Sequence, residues 1–254
     1  MARKIAIIGK APDTQKLAPF DDPTWEIWIL NTTGVNKETP RWDRHFELHD
    51  LELTKDPAYG KYYEWMREQE KQIVLRDNPP EDFRNAVRYP LGDVLRTFDG
   101  YAGRQYLTNT VSLLAALAIH EHQWHLPDNP VECIGFWGVN MAQHGVSNAA
   151  SHAGIFTSEY ARQRPSVEYW IGVAEGKGIK VIVPEASDIL KTAAIYGYHT
   201  SDASKKLVVR RQELQQRIAN AQAQEQRFHD ESIFLQGAVE GLNYDFQWVP
   251  TGGN

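Results

Sequence analysis

Short apolar runs separated by polar turns dominate the first two hundred residues. Residues 4–8 are apolar at nearly every position and stop at Gly9-Lys10-Ala11-Pro12. Such a run predicts a strand covered on both faces, as in a parallel sheet. Residues 25–30 repeat the pattern and end at Asn31, and residues 45–48 end at His49. Residues 131–137 run into Gly138-Val139-Asn140, and residues 180–183 are stopped by Pro184. A further short strand is expected over 72–75. Helical spacings lie between these runs. Asp13-Thr14 suits the cap of a short helix. Tyr59, Tyr62, Tyr63 and Met66 recur at helical intervals, and 109–122 reads as a buried helix with Val111, Leu114, Leu117 and Ile119. Residues 166–177 read as another, with Pro165 in its first turn and Gly176 and Gly178 at its end. Residues 78–106 predict a long irregular excursion, and 143–158, small and aperiodic, a mobile loop. Alternating strands and helices imply βαβ units. The expected class is α/β, with a Rossmann-like, mostly parallel sheet and flanking helices over 1–200.

The last quarter changes character and predicts a helical C-terminal extension over 201–254. Leu207, Leu214, Ala221, Phe228, Leu235 and Leu242 keep a seven-residue spacing, with Ile218 and Val239 at a partial second position. Arg211, Glu225 and Ser232 interrupt that second position, so the stripe is narrow. Two readings stay open. One is an amphipathic helix folded against its own domain; the other is a coiled-coil contact to another subunit, hence a homo-oligomer. Gly237 and Gly241 weaken a continuous helix and favour the first.

Charge and cysteine content narrow the function classes. The net charge is −6, which provides no basic stripe for a polyanion and disfavours nucleic acid as the main partner. Cys133 is the only cysteine, so neither an intrachain disulfide nor a multi-cysteine zinc site is expected. The first apolar run is too short for a secretory segment, and no stretch approaches the roughly 18 residues of a membrane span. A cytoplasmic protein without a membrane partner is expected.

Candidate chemistry follows from the topology. In a doubly wound sheet, loops at the carboxyl ends of the strands converge on one crevice where ligands bind. This nominates Gly9, Lys10, Asn31, Gly138 and Asn140 as binding residues, with Thr108 and Asn109 at a helix start whose N–H groups suit an anion. The competing reading of each is a tight turn or a helix cap, and Thr108 and Asn109 are as well suited to capping as to ligand contact. His49, at the end of its strand, is the preferred general acid or base from a stretch that also holds Asp43 and His45. Arg162 and Arg164 can clamp a phosphate or carboxylate, with Tyr160 beside them for stacking or proton transfer. Trp170 reads as core. His120, His122 and His125 do not share a helical face and match no metal motif, so no metal site is expected.

Taken together, the series Ile-Ile-Gly-Lys-Ala-Pro, Phe-Glu-Leu-His, Tyr-Leu-Thr-Asn, Phe-Trp-Gly-Val-Asn-Met-Ala and Glu-Tyr-Ala-Arg-Gln-Arg-Pro-Ser-Val-Glu-Tyr-Trp resembles a family of uncharacterised proteins from tailed bacteriophages. That resemblance implies phage origin and a place in the host cytoplasm. More distantly, the chain is similar to bacterial sialyltransferases that use a cytidine-nucleotide sugar. These carry a G-x-G-P-S loop after the first strand, an asparagine ending the second, a T-S-G helix start and a G-[IV]-D ending a later strand. The matching positions here are Gly9 to Asp13, Asn31, Thr108 to Thr110, and Gly138 to Asn140. The resemblance implies a nucleotide held by Gly9, Asn31 and Thr108. Ala11, Asp13, Asn109 and Asn140 depart from the pattern, and Asn140 cannot act as a carboxylate base. Two functions therefore stand: a nucleotide-sugar-dependent transferase of the glycosyltransferase type, or a non-catalytic protein that sequesters a nucleotide or serves phage assembly or host interaction. No cofactor is identified.

Overall fold

The computed structural model describes residues 2–35, 39–125, 127–141, 159–191, 195, 198 and 202–246. It separates into two compact units, Met1–Lys191 and Thr192–Asn254. The first contains strands β1 (Arg3–Ile8), β2 (Trp25–Leu30), β3 (Arg44–Glu47), β4 (Gln72–Leu75), β5 (Ala86–Arg88), β6 (Val131–Trp137) and β7 (Lys180–Ile182). Its helices are α1 (Pro12–Gln15), α2 (Tyr62–Glu68), α3 (Leu91–Thr97), α4 (Thr110–Trp124) and α5 (Glu159–Gly176). The second unit contains α6 (Asp202–Phe246).

All seven strands pair in parallel, in the order β5-β4-β3-β2-β1-β6-β7. Successive strands step outward from β1 to β5. The chain then returns to the other side of β1, so the switch point lies between β1 and β6. Ile5 and Ile7 enter one apolar layer with Trp28, Phe46, Leu114 and Trp170. Ala6 and Ile8 enter the other with Ile27, Ile73, Tyr62 and Met66. Burial on both faces is why these strands read as continuous apolar runs.

The region 78–106, expected to be irregular, holds β5 and α3. Val87 and Arg88 on this edge strand are exposed, so no two-faced apolar run announces it. α5 begins before the expected residue 166. Pro165 thus sits inside the helix rather than in its first turn, forfeiting one i→i−4 hydrogen bond. The loop expected over 143–158 lies outside the described residues. Trp170 is fully buried, and its indole N–H donates to the Tyr106 carbonyl at 2.8 Å.

At the amino end of the sheet four charged groups close a ring. Arg3 pairs with Glu26 at 2.5 Å and with Glu121 at 2.7 Å. Arg44 pairs with the same two carboxylates at 3.1 and 2.6 Å. Burial opposes the Glu26 charge, but Arg44, the Trp28 indole and Arg3 outweigh it and hold the carboxyl below its ordinary value.

Candidate functional site

The carboxyl end of the sheet is open. One step beyond the last β1–β6 pair, Ile8 with Trp137, stand Gly9 and Gly138. A Cβ on Gly9 would lie 2.3 Å from the Gly138 carbonyl oxygen, and one on Gly138 would lie 2.4 Å from the Gly9 oxygen. Gly138 also has φ +67, a region that suits glycine. The two chains therefore pinch together only because neither carries a side chain.

Short helix α1 satisfies the groups left by this approach. Gly138 donates its N–H to the buried Thr14 hydroxyl at 3.0 Å, and the buried Gln15 amide donates to the Gly9 carbonyl at 3.0 Å. The Asn140 side-chain amide nitrogen donates to the Asp13 carboxylate, 3.0 and 2.9 Å from its two oxygens. Asp13 is thus tied across the pinch to the β6 loop.

Around the pinch opens a cleft of about 690 Å³. Gly9, Lys10, Asn31, His49, Thr108, Asn109, Gly138 and Asn140, all nominated from the sequence, line it together. Asn31 adopts φ +53, uncommon for a residue other than glycine. The Oδ1 atoms of Asn31 and Asn140 are shielded from solvent and have no hydrogen-bond partner among the described residues. The Lys10 ammonium is pulled below its ordinary pKa by burial, with Glu47 opposing the shift.

The amino terminus of α4 faces the same space. Asn109 caps it: its Oδ1 accepts the Ser112 N–H at 2.9 Å, and the Ser112 hydroxyl reciprocates through a 3.3 Å contact from the Asn109 N–H. The Asn109 carboxamide oxygen is therefore engaged by its own helix. Thr110 and Val111, at the first two helical positions, line the cleft, where a helix start leaves N–H groups without intrahelical acceptors.

At the end of β3 a chain of polar groups leads inward. His49 shows 56% of its side chain and places Nδ1 2.7 Å from Glu47, whose carboxylate also accepts the His49 backbone N–H at 3.0 Å. The other Glu47 oxygen accepts the Tyr62 hydroxyl at 2.8 Å, and that hydroxyl lies 2.8 Å from His45 Nε2. Since Tyr62 donates to Glu47, His45 must donate through Nε2, leaving Nδ1 as the unprotonated atom, which has no partner among the described residues. Burial opposes the Glu47 charge, yet the His49 and Tyr62 hydrogen bonds prevail and keep its pKa low. Burial holds His45 neutral, its pKa lowered to about 3.

Several nominated residues stand apart from this cleft. Arg164 pairs with Glu168 at 2.7 Å and donates to the Lys191 carbonyl at 3.0 Å, tying α5 to the segment after β7. Arg162 is exposed and is not among the lining residues. Tyr160 is the second residue of α5; its side chain lies outside the described residues. Asp43 accepts the Ile27 N–H at 2.7 Å, between β2 and β3. His120 contacts the Thr97 hydroxyl at 2.6 Å and His122 the Val131 carbonyl at 2.9 Å, so the histidine run is divided among separate partners.

Glu47, Tyr62, Thr14 and Gln15 were not singled out from the sequence. A carboxylate at the end of a strand buried on both faces requires a partner, and that requirement is the readable signal for Glu47. A second cavity of about 350 Å³, walled by Tyr89, Leu91, Leu95 and Gln105, shares Leu48, Leu107 and Leu113 with the cleft. Its walls are mostly apolar.

Fold and cleft together define a Rossmann-like α/β protein with a pocket at the switch point of its sheet. No family model and no curated protein matches the chain. Among solved structures it is similar to the sialyltransferase CstII from Campylobacter jejuni in complex with the substrate analogue cytidine-5'-monophosphate. The identity is 13% and the TM-score 0.45, over 79% of this chain and 92% of that one. It is also similar to sialyltransferase CST-II in complex with trisaccharide acceptor and CMP, at 13% identity and TM-score 0.42, over 78% and 93% of the two chains. At these values, function rests on the chain's own residues.

Proposed function

We propose that the cleft binds a nucleotide and that the protein is a glycosyltransferase-like enzyme acting on a nucleotide-activated sugar. The observation that carries this reading is the meeting of the Gly9–Gly138 pinch and the α4 amino terminus on one cavity. At the pinch no side chain separates a ligand from backbone, and the helix start offers N–H groups and a positive dipole end to a phosphate. Lys10 adds the positive charge that the sequence had assigned to Arg162 or Arg164. Asn31 supplies an acceptor for a ribose or base donor, reached by a turn of its amide. The volume suits a nucleotide sugar, and the apolar alcove beside it takes the less polar end of donor or acceptor.

In this reading an acceptor hydroxyl attacks the anomeric carbon. The bond from that carbon to the phosphate oxygen breaks, and the nucleotide leaves with the electron pair. The hydroxyl proton passes to His49. Glu47 holds Nδ1 protonated and steadies the imidazolium as it forms, while Tyr62 and His45 keep Glu47 in place. Tyr160 is the second candidate for the proton.

The test is a panel of nucleotides and nucleotide sugars, read by thermal shift and by nucleotide release with mixed acceptors. A higher melting temperature with at least one nucleotide, plus release from its sugar, is the expected result. His49→Ala should then cut release on the order of 10²-fold while binding persists. No shift with any nucleotide would remove the ligand assignment. The second reading, binding without chemistry, is favoured by Asn140, an amide engaged with Asp13 at the end of β6. Binding without release by the unaltered protein decides for it.

A further inference from the structure

α6 is one continuous helix of 45 residues, about 67 Å long at the usual rise. Gly237 and Gly241 lie inside it without ending it. Its seven-residue stripe is exposed: Leu207, Leu214, Phe228, Leu235 and Leu242 all face solvent, as do Ile218 and Val239 at the second position. A strict seven-residue repeat is the period of a left-handed supercoil rather than of a helix lying on a globular core.

The charges along α6 are not evenly spread. Its first half, residues 202–223, carries Lys205, Lys206, Arg210, Arg211 and Arg217 against two carboxylates, a net charge of +3. Its second half, residues 224–246, carries five carboxylates against Arg227, a net charge of −4. Two such helices side by side in parallel would set like charge beside like charge along their whole length. Antiparallel, each basic half meets an acidic half, and the helix dipoles also oppose.

We propose that α6 docks on α6 of a second copy of this chain, antiparallel, as a two-helix coiled coil. With the helices aligned about Gln224, Arg217 of one falls level with Glu231 of the other, and Leu207 falls within one residue of the level of Leu242. Arg211, which interrupts the apolar stripe, then falls level with Gly237 in the acidic half of the partner helix. Polar residues at such seam positions select register and partner number at some cost in stability.

The test uses the full chain. Light scattering should report twice the chain mass, with self-association weakening as salt rises. Leu207→Cys and Leu242→Cys variants are then oxidised singly and mixed. Cys133 is buried and does not compete. A disulfide between the two variants in the mixture, with neither forming one alone, is expected. A cross-link of Leu207→Cys with itself reports parallel pairing and overturns the proposal. A monomer, a larger assembly, or a dimer that forms no mixed disulfide also overturns it. Replacing Arg210, Arg211 and Arg217 together by Glu should weaken association at least tenfold while helicity by circular dichroism is kept. Undiminished association in that variant, with helicity intact, counts against the charge argument.

Discussion

The two ends of the parallel sheet treat their polar groups in opposite ways. At the amino end, Arg3, Glu26, Arg44 and Glu121 neutralise one another in a closed ring. At the carboxyl end, Asn31 and Asn140 keep buried acceptors unmatched, Asn31 holds a left-handed backbone, and two glycines leave the space between them bare. Helix α4 links the ends, with Glu121 in the ring and Asn109 capping the start that opens on the cleft. One end pairs its charges within the protein, and the other leaves polar groups around a cavity. Groups that compensate each other contribute to stability, while groups left uncompensated cost it.

That contrast can be broken most forcefully at the ring. Glu121→Ala leaves Arg3 and Arg44 sharing one carboxylate, and a loss of about 3 kcal/mol in unfolding free energy is expected from urea titration. A loss below a tenth of that would mean the ring is ornamental. At the other end, Gly138→Ala forces a Cβ against the Gly9 carbonyl in a backbone region costly for alanine, and about 2–3 kcal/mol should be lost. Unchanged melting in this variant would show that the pinch relaxes freely.

Beneath the cleft, His45 sharpens the comparison through pH. Its folded pKa, about 3, lies below the ordinary 6.5. Between those values the unfolded chain takes up a proton there that the folded chain refuses. Stability should therefore fall as pH drops below 6.5, by up to about 1.4 kcal/mol per unit, or about 2 kcal/mol by pH 5. His45→Gln should flatten this slope in denaturation midpoints measured across the range; an identical slope would assign it elsewhere. The smallest effect on stability is expected at Asn31. Asn31→Gly relieves the positive φ and should change unfolding free energy by no more than about 0.5 kcal/mol. Nucleotide affinity in calorimetry should nevertheless fall. Equal affinity would show that the amide has no part in binding.

Much of the cleft is legible in the sequence, because strand ends are easy to locate. Gly9, Asn31, His49 and Gly138 each follow an apolar run, and parallel pairing must bring such ends to one edge. The arginines Arg162 and Arg164 were placed by their neighbourhood in sequence alone, and Arg164 is instead engaged by Glu168 and the chain beyond β7. Asp13, one of the departures from the loop pattern, is held by Asn140. The Arg164–Glu168 pair has the i,i+4 spacing of the helix that carries it, whereas the Asn140–Asp13 contact joins segments 127 residues apart.

What the order of residues determined by itself was periodic and local. Two-faced apolar runs pointed to a parallel sheet, Asn109 to a helix start, and the seven-residue stripe to a helical extension, though not to its being one unbroken helix. The tertiary structure alone decided that Gly9 and Gly138 press backbone to backbone, and that His49, Glu47, Tyr62 and His45 form one chain of hydrogen bonds. The reason is physical. Periodicity records which side of an element meets water, but hydrogen-bond partners depend on distances of a few ångströms between segments far apart in the chain. Only packing sets those distances.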